Sequence, residues 1–157
     1  MENRIGLSEK NIKQLIGYAN SDEVVQRFTS DARRFKDEES FENWLKKGRK
    51  IYSLVDEYEN LMGISWFGQE GDGFTLALRI YDGARGKGLG YGFLKETMND
   101  FMLSDEYRSA ANQEWWLETS KDNVAAIKIY EKLGFEAEKE GESPEKIIFR
   151  RRPGFVS

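Results

Sequence analysis

Between Phe74 and Met102 the chain runs from an apolar segment, "FTLALRI", through "YDGARGKGLGYG" into "FLKETMNDFM". Four of the ten residues from Tyr81 to Gly90 are glycines, Gly83, Gly86, Gly88 and Gly90, lying between strand-like and helix-like sequence with Arg85 and Lys87 set among them. That order calls for a strand, a tight glycine turn and a helix. Leu89, Phe93, Leu94, Thr97, Met98, Phe101 and Met102 mark one face of the helix. "EWWLET", Glu114 to Thr119, then reads as a second strand. Strand, crossover helix and strand make a right-handed unit, so the second strand should lie parallel to the one ending at Ile80. A glycine turn at a helix N-terminus leaves backbone N–H groups open where the helix dipole favours negative charge. Phosphate is the natural guest, although the same glycines would also serve a ligand-free tight turn.

Upstream, "IYSLVD", "LMGISWF" and "FTLALRI" are three β-like runs divided by "EYEN" and "GQEGDG", short turn-rich separators that predict an antiparallel meander. The first fifty residues look helical, with Ile12, Leu15, Ile16 and Ala19 at helical spacing and Phe41, Trp44 and Leu45 after an acidic "DEES". A short strand is expected at Arg4 to Leu7. Downstream, "DNVAAIKIYEKLGF" reads as a helix starting near Asp122 or Asn123 and capped by Gly134, and "EAEKEGESPEKIIFRR" as a final hairpin. The expected class is α+β, a mixed sheet with helices entering at two places. No linker or repeat divides the chain, so residues 1–157 are read as one domain.

The sequence has no cysteine and no histidine, which excludes a disulfide, a thiolate nucleophile, a zinc site of the usual kind and an imidazole base. No metal is expected, and any catalysis must run on carboxylates, Tyr, Lys, Ser/Thr or backbone dipoles. No apolar run approaches the length of a membrane span. The expectation is a cytoplasmic protein with no membrane partner. Net charge is −4, and the one basic tract, "RRRP" at Arg150 to Pro153, reads as the solvated end of a last strand. Nucleic acid is therefore not an expected partner. The acidic total suits a cationic small molecule or basic peptide better than an acidic one, though charge steers partners weakly.

Spacing separates three ways of holding a phosphate. No Gly-Lys-Ser/Thr occurs, so the loop is not a P-loop. "GKGLGYG" lacks the third glycine of a dinucleotide fingerprint, and Glu118 lies too late for the ribose carboxylate. Arg85, Gly88 and Gly90, however, spell R-x-x-G-x-G. Beyond the next strand, Asn123, Ala126, Tyr130, Gly134 and Phe135 spell N-x-x-A-x-x-x-Y-x-x-x-G-F. Together these motifs resemble the GNAT (GCN5-related) N-acetyltransferase superfamily, over about Leu61 to Phe149. The resemblance implies a central, mostly antiparallel sheet with a splayed parallel strand pair flanked by helices.

It also implies acetyl-coenzyme A as co-substrate, with the backbone amides of Arg85, Gly86, Lys87, Gly88, Leu89 and Gly90 on its pyrophosphate. Backbone groups of Leu78 and Ile80 would lie along the pantetheine arm, and the N–H near Ile80 would stabilise the oxyanion. Asn123 would bond a pantetheine amide, and its plainer role is to start a helix. Tyr130 corresponds to the acid that protonates the leaving thiolate, and its plainer role is core packing. The family's ribosomal-protein N-terminal acetyltransferases carry a glutamate base in a Leu-Glu-Val setting, and Glu118 in "LET" falls at the matching offset, with Thr119 departing from Val. Trp116, two residues away, would raise its pKa. A solvent-facing Glu118, with Glu57, Glu59 or Asp72 acting through water, stays open.

With no cysteine for an acetyl-enzyme, the amine should attack directly in a ternary complex. The acceptor is expected to be an amine, small molecule or peptide, and a homodimer is left open. Two other readings remain: a non-catalytic acyl-coenzyme A sensor and an unrelated nucleotide binder. "VVQRFTSDARRFKDEESFENWL" and "GQEGDG" would choose the acceptor. Phe35, Phe41 and Trp44 within the first either line a pocket or fill a core.

Overall fold

A computed structural model describes residues 1–157. The strands are β1 (Glu2–Ile5), β2 (Lys50–Val55), β3 (Leu61–Glu70), β4 (Gly73–Ile80), β5 (Trp115–Ser120), β6 (Glu136–Glu140) and β7 (Lys146–Arg151). They form a seven-stranded sheet in the order β1-β2-β3-β4-β5-β7-β6. β4 and β5 are parallel, as a crossover connection requires, whereas β1–β2, β5–β7 and β6–β7 are antiparallel. The helices are α1 (Glu9–Ser21), α2 (Glu23–Phe28), α3 (Asp31–Arg34), α4 (Glu38–Leu45), α5 (Gly90–Leu103) and α6 (Val124–Lys132).

Each expected element is present, with shifted ends. β1 starts and stops two residues early because Gly6, at φ +78°, turns the chain before Leu7 can extend it. Side chains that satisfy orphan N–H groups begin the N-terminal helices: Ser8 accepts from the Asn11 N–H, Asp22 from Val24 and Val25, and Asp37 from Ser40.

The chain folds as two compact units: residues 1–66 with 78–89, and residues 67–77 with 90–157. In the first, the core is aromatic. Phe35 is fully buried between Phe41, Trp44 and Trp66, with ring centroids 5.0 Å from Trp44 and 5.9 Å from Trp66 in edge-on geometry. Phe35, Phe41 and Trp44 thus serve the core. Behind them lies a buried carboxylate, Asp31, exposed by only 1%. Arg79 of β4 reaches it through two hydrogen bonds, 2.7 and 3.1 Å, and Arg34 through a third at 2.5 Å. Both guanidiniums also lie over the Trp66 ring, at 4.8 and 5.2 Å.

In the second unit, Phe67, Phe74, Phe101 and Trp115 share ring contacts, and the Trp115 indole N–H donates to the Ala110 carbonyl at 3.1 Å. α5 buries Phe93, Leu94, Met98, Phe101 and Met102, the face its spacing marked. α6 ends at Gly134, whose φ of +97° lets the Phe135 N–H return to the Tyr130 carbonyl at 3.0 Å. Arg151 completes that end by donating to the Leu133 carbonyl at 2.6 Å and the Gly154 carbonyl at 2.7 Å. The basic tract is therefore only partly solvated: Arg151 closes a helix, Arg150 pairs with Glu138, and Arg152 is the exposed one.

No helix is long and apolar enough to cross a membrane, and no group of acidic residues could hold a metal ion.

Candidate active site

The parallel pairing of β4 and β5 is confined to Phe74 and Trp115, beside a bond from the Phe74 N–H to the Glu114 carbonyl at 3.1 Å. Beyond it Thr75, Leu76 and Ala77 have no register with Trp116, Leu117 and Glu118, whose other edge stays paired with β7. The two strands splay after a single rung. At the other end of β4 the Tyr81 N–H donates to the Met62 carbonyl of β3 at 2.9 Å. Backbone groups alternate in direction along a strand, so Leu76, Leu78 and Ile80 share the side of Phe74, away from β3. The Ile80 carbonyl is taken by Arg85 Nε at 3.0 Å and the Leu78 carbonyl by Arg79 Nη1 at 3.1 Å, whereas the N–H groups of Leu78 and Ile80 point to this edge. Both side chains are half-buried.

The glycine loop follows. Asp82–Ala84 make a single 3-10 turn, after which Gly86 and Gly88 adopt φ of +78° and +71°. An added Cβ on either would meet nothing within 4 Å, so it is the left-handed backbone and not space that requires glycine. Alternation through the left-handed region turns successive N–H groups toward one side. From Gly86 through Lys87, Gly88 and Leu89 to Gly90, none of these N–H groups has a hydrogen-bond partner. Five consecutive donors leading into α5 are the kind of arrangement that could hold an anion.

Arg85 is engaged differently. Its guanidinium turns inward to Asp22 Oδ2 at 2.6 Å and the Ile80 carbonyl at 3.0 Å. Asp22 also accepts the Asp82 N–H at 3.3 Å while capping α2, so one buried carboxylate ties helix and loop together. Sequence reasoning missed Asp22: "SDEVV" shows a helix cap, but nothing local signals a partner more than sixty residues away. Tyr81 anchors the loop's other end, its ring stacked on Tyr18 at 4.1 Å. Burial pushes its phenol well above the ordinary value, which keeps it protonated.

In the second unit, Asn123 occupies the N-cap of α6 but makes no capping bond with its side chain, whose amide is left available. Tyr130 lies in the last turn of α6. It is 6% exposed, with its ring 6.2 Å from Phe135. Glu118 is neither solvent-facing nor isolated: Oε2 accepts the Glu142 N–H at 2.8 Å, and Oε1 lies 3.8 Å from Lys146 Nζ. The Trp116 indole N–H donates to the Glu70 carbonyl at 3.2 Å. Of the other carboxylates, Glu59 pairs with Arg4, whose hydrogen bond holds it below its ordinary value, while Glu57 and Asp72 are exposed.

A mixed sheet with one briefly paired, splaying parallel couple, and a glycine loop between its strand and helix, defines the acyl-coenzyme A N-acyltransferase class of fold. The profile of the family described as "Acetyltransferase (GNAT) domain" matches residues 6–136. The chain belongs to the GNAT acetyltransferase family. No curated protein sequence matches it significantly. Among solved structures, a protein from Streptococcus mutans UA159 is similar with a TM-score of 0.74 and 16% identity, over 97% of this chain and 99% of that one. Ribosomal-protein-S5-alanine acetyltransferase from Vibrio fischeri has a TM-score of 0.72 and 13% identity, over 100% and 96%. A variant of the spermidine N-acetyltransferase SpeG from Vibrio cholerae has 0.65 and 14%, over 96% and 92%. At these identities the likeness concerns the fold.

Proposed function

We propose that residues 1–157 form one catalytic domain that transfers the acetyl group of acetyl-coenzyme A to a primary amine, by direct attack in a ternary complex. The observation that carries this reading is the run of unpartnered N–H groups from Gly86 to Gly90. It suits a pyrophosphate, which asks for several donors converging on one spot. Arg85 contributes through its place in the loop, its side chain being committed to Asp22.

Acetyl-coenzyme A supplies an activated thioester. The open edge of β4 at Leu78 and Ile80 offers backbone partners for the pantetheine arm, and the Ile80 N–H stabilises the negative charge that develops on the thioester oxygen. Asn123 offers its free side-chain amide to the same arm. As the amine nitrogen bonds to the carbonyl carbon and the C–S bond breaks, the Tyr130 hydroxyl gives its proton to the sulfur. Glu118 takes the amine proton through a water, using a carboxylate already oriented by Glu142 and Lys146.

An acetyl-coenzyme A consumption screen over protein N-termini, polyamines, aminoglycosides and other small amines tests the reading. Saturable turnover with one class is expected; coenzyme binding without turnover on any would make the protein a sensor. Two variants test the parts. Gly88→Val places a β-branched residue in a left-handed conformation and a side chain over the N–H cradle, so affinity for acetyl-coenzyme A should fall at least tenfold in calorimetry. The strain itself costs only about 1–2 kcal/mol of stability. Unchanged affinity would take the loop out of coenzyme binding. Glu118→Gln keeps size but cannot accept a proton. Its turnover should drop at pH 7 and partly recover at high pH, where more acceptor is already neutral, with coenzyme affinity little altered. A pH-rate profile that overlays the parent's would assign the base elsewhere.

A further inference from the structure

The first unit contains a cleft of about 460 Å³ whose lining includes Arg33, Arg34, Lys47 and Arg49, with Ser40 and Asn43 as uncharged donors, and no acidic residue. Its charge is not compensated. Arg33, Lys47 and Arg49 have no ion-pair partner, and the one carboxylate behind the cleft, Asp31, is shared between Arg34 and Arg79. Of the acids of α4, Glu38 and Glu42 lie on the side of the helix away from Ser40 and Trp44, whereas Glu39, one turn before Asn43, and Asp37, which accepts the Ser40 N–H at 2.8 Å, stand at the rim outside the lining. Arg49 lies over the Trp44 ring at 5.5 Å, which holds its guanidinium at the cleft wall. Burial, with Arg79 and Arg49 nearby, lowers the Arg34 guanidinium despite Asp31. Like charges gathered on one concave surface of a protein with net charge −4 are a cost that an anion would relieve.

We infer that this cleft binds the anionic group, carboxylate or phosphate, of the amine acceptor. The connection to the reaction lies within the same unit. Arg34 bonds Asp31, and Asp31 bonds Arg79, which stands between Leu78 and Ile80 on β4. An acceptor anchored in the cleft is thus two ion pairs from the strand proposed to hold the coenzyme arm. The guanidinium and ammonium groups supply charge-assisted hydrogen bonds, and Ser40 and Asn43 supply neutral ones. The inference rests on the proposed acetyl transfer, but its first test does not require turnover.

Inorganic phosphate is titrated into the full chain in low-chloride buffer and followed by amide and side-chain NMR, with and without saturating coenzyme A. Shifts at Arg33, Lys47, Arg49 and the Trp44 indole are expected in both conditions, and should be lost in Arg33→Gln/Lys47→Gln/Arg49→Gln. If the triple variant is poorly folded by circular dichroism, Arg33→Gln/Lys47→Gln, which changes only exposed side chains, serves instead. No shifts in the parent, or shifts that survive the substitutions, would overturn the site. Displacement of phosphate by coenzyme A would overturn it as an acceptor site and assign the cleft to the coenzyme's own phosphates.

Turnover is then compared within matched pairs, phosphoethanolamine against ethanolamine and glycine against glycinamide. The anionic member should be favoured at least tenfold in kcat/KM, with the ratio falling toward one in the variants. The two pairs distinguish phosphate from carboxylate. Equal use of both members would overturn the acceptor assignment. Absence of acetyl-coenzyme A binding, with phosphate still seated in the cleft, would instead count against the proposed reaction.

Discussion

Tyr130→Phe should lower turnover by about 10²- to 10⁴-fold while leaving acetyl-coenzyme A affinity and thermal stability near the parent's. The substitution deletes one oxygen and keeps the ring. The ring is held against Phe135, and the backbone at Tyr130 is fixed by the bond its carbonyl accepts from Phe135 as α6 ends. A phenol is protonated at neutral pH and so can donate to a departing thiolate. If Tyr130 only packed the core, phenylalanine would replace it with little change in either property. Steady-state kinetics beside calorimetric binding and a melting curve therefore separates the two roles. Parent-level turnover in the variant would return Tyr130 to the core.

Asp31→Ala is the substitution with the largest expected effect on stability, a loss of about 3–5 kcal/mol, because it strands two buried or half-buried guanidiniums without their counter-ion. Against the roughly 5–15 kcal/mol by which a domain is normally stable, that is a large fraction. Urea unfolding at pH 7 measures it. The same carboxylate sets a pH dependence. Burial alone would raise its pKa, but the charge and hydrogen bonds of Arg79, then of Arg34, overcome burial and hold it below the ordinary value. Arginine stays charged throughout, so the titration belongs to Asp31. Its folded pKa lies below its unfolded pKa of about 3.9. The contribution is therefore complete above that pH and lost as pH falls through the lower, folded value. The stability gap between the parent and Asp31→Asn should be constant from pH 7 to about 5 and narrow below about 3.9. A gap independent of pH down to 3 would show that Asp31 contributes by shape and hydrogen bonding and not by charge.

What could be read along the chain was whatever local pattern dictates. The parallel pairing of β4 and β5 followed from an apolar run, a glycine turn and a helical face in that order, since a crossover of that length returns the next strand parallel, whereas their splay was implied only by the family resemblance. The glycines from Gly83 to Gly90 marked a tight turn and Gly134 a helix end, and the structure puts Gly86, Gly88 and Gly134 in the left-handed region that such positions ask for. The motif spacing around Arg85, Asn123 and Tyr130 reached the family, because short motifs encode the backbone shape of a loop and a helix start.

Side-chain partners remote in sequence followed no such pattern. Arg85 reads as a loop cation but turns inward to Asp22, and Arg151 reads as a solvated tail but closes α6. Glu118 is met by Glu142 and Lys146 from a hairpin that lies beside it only once β7 has paired with β5. Charge shows the difference most clearly. The total of −4 favours a cationic partner, yet folding gathers Arg33, Arg34, Lys47 and Arg49 into one cleft whose lining holds no acidic residue. Net charge is a sum over residues and is known as soon as the sequence is. The field that a bound group meets depends on which charges share a surface, and that is set when helices and strands pack.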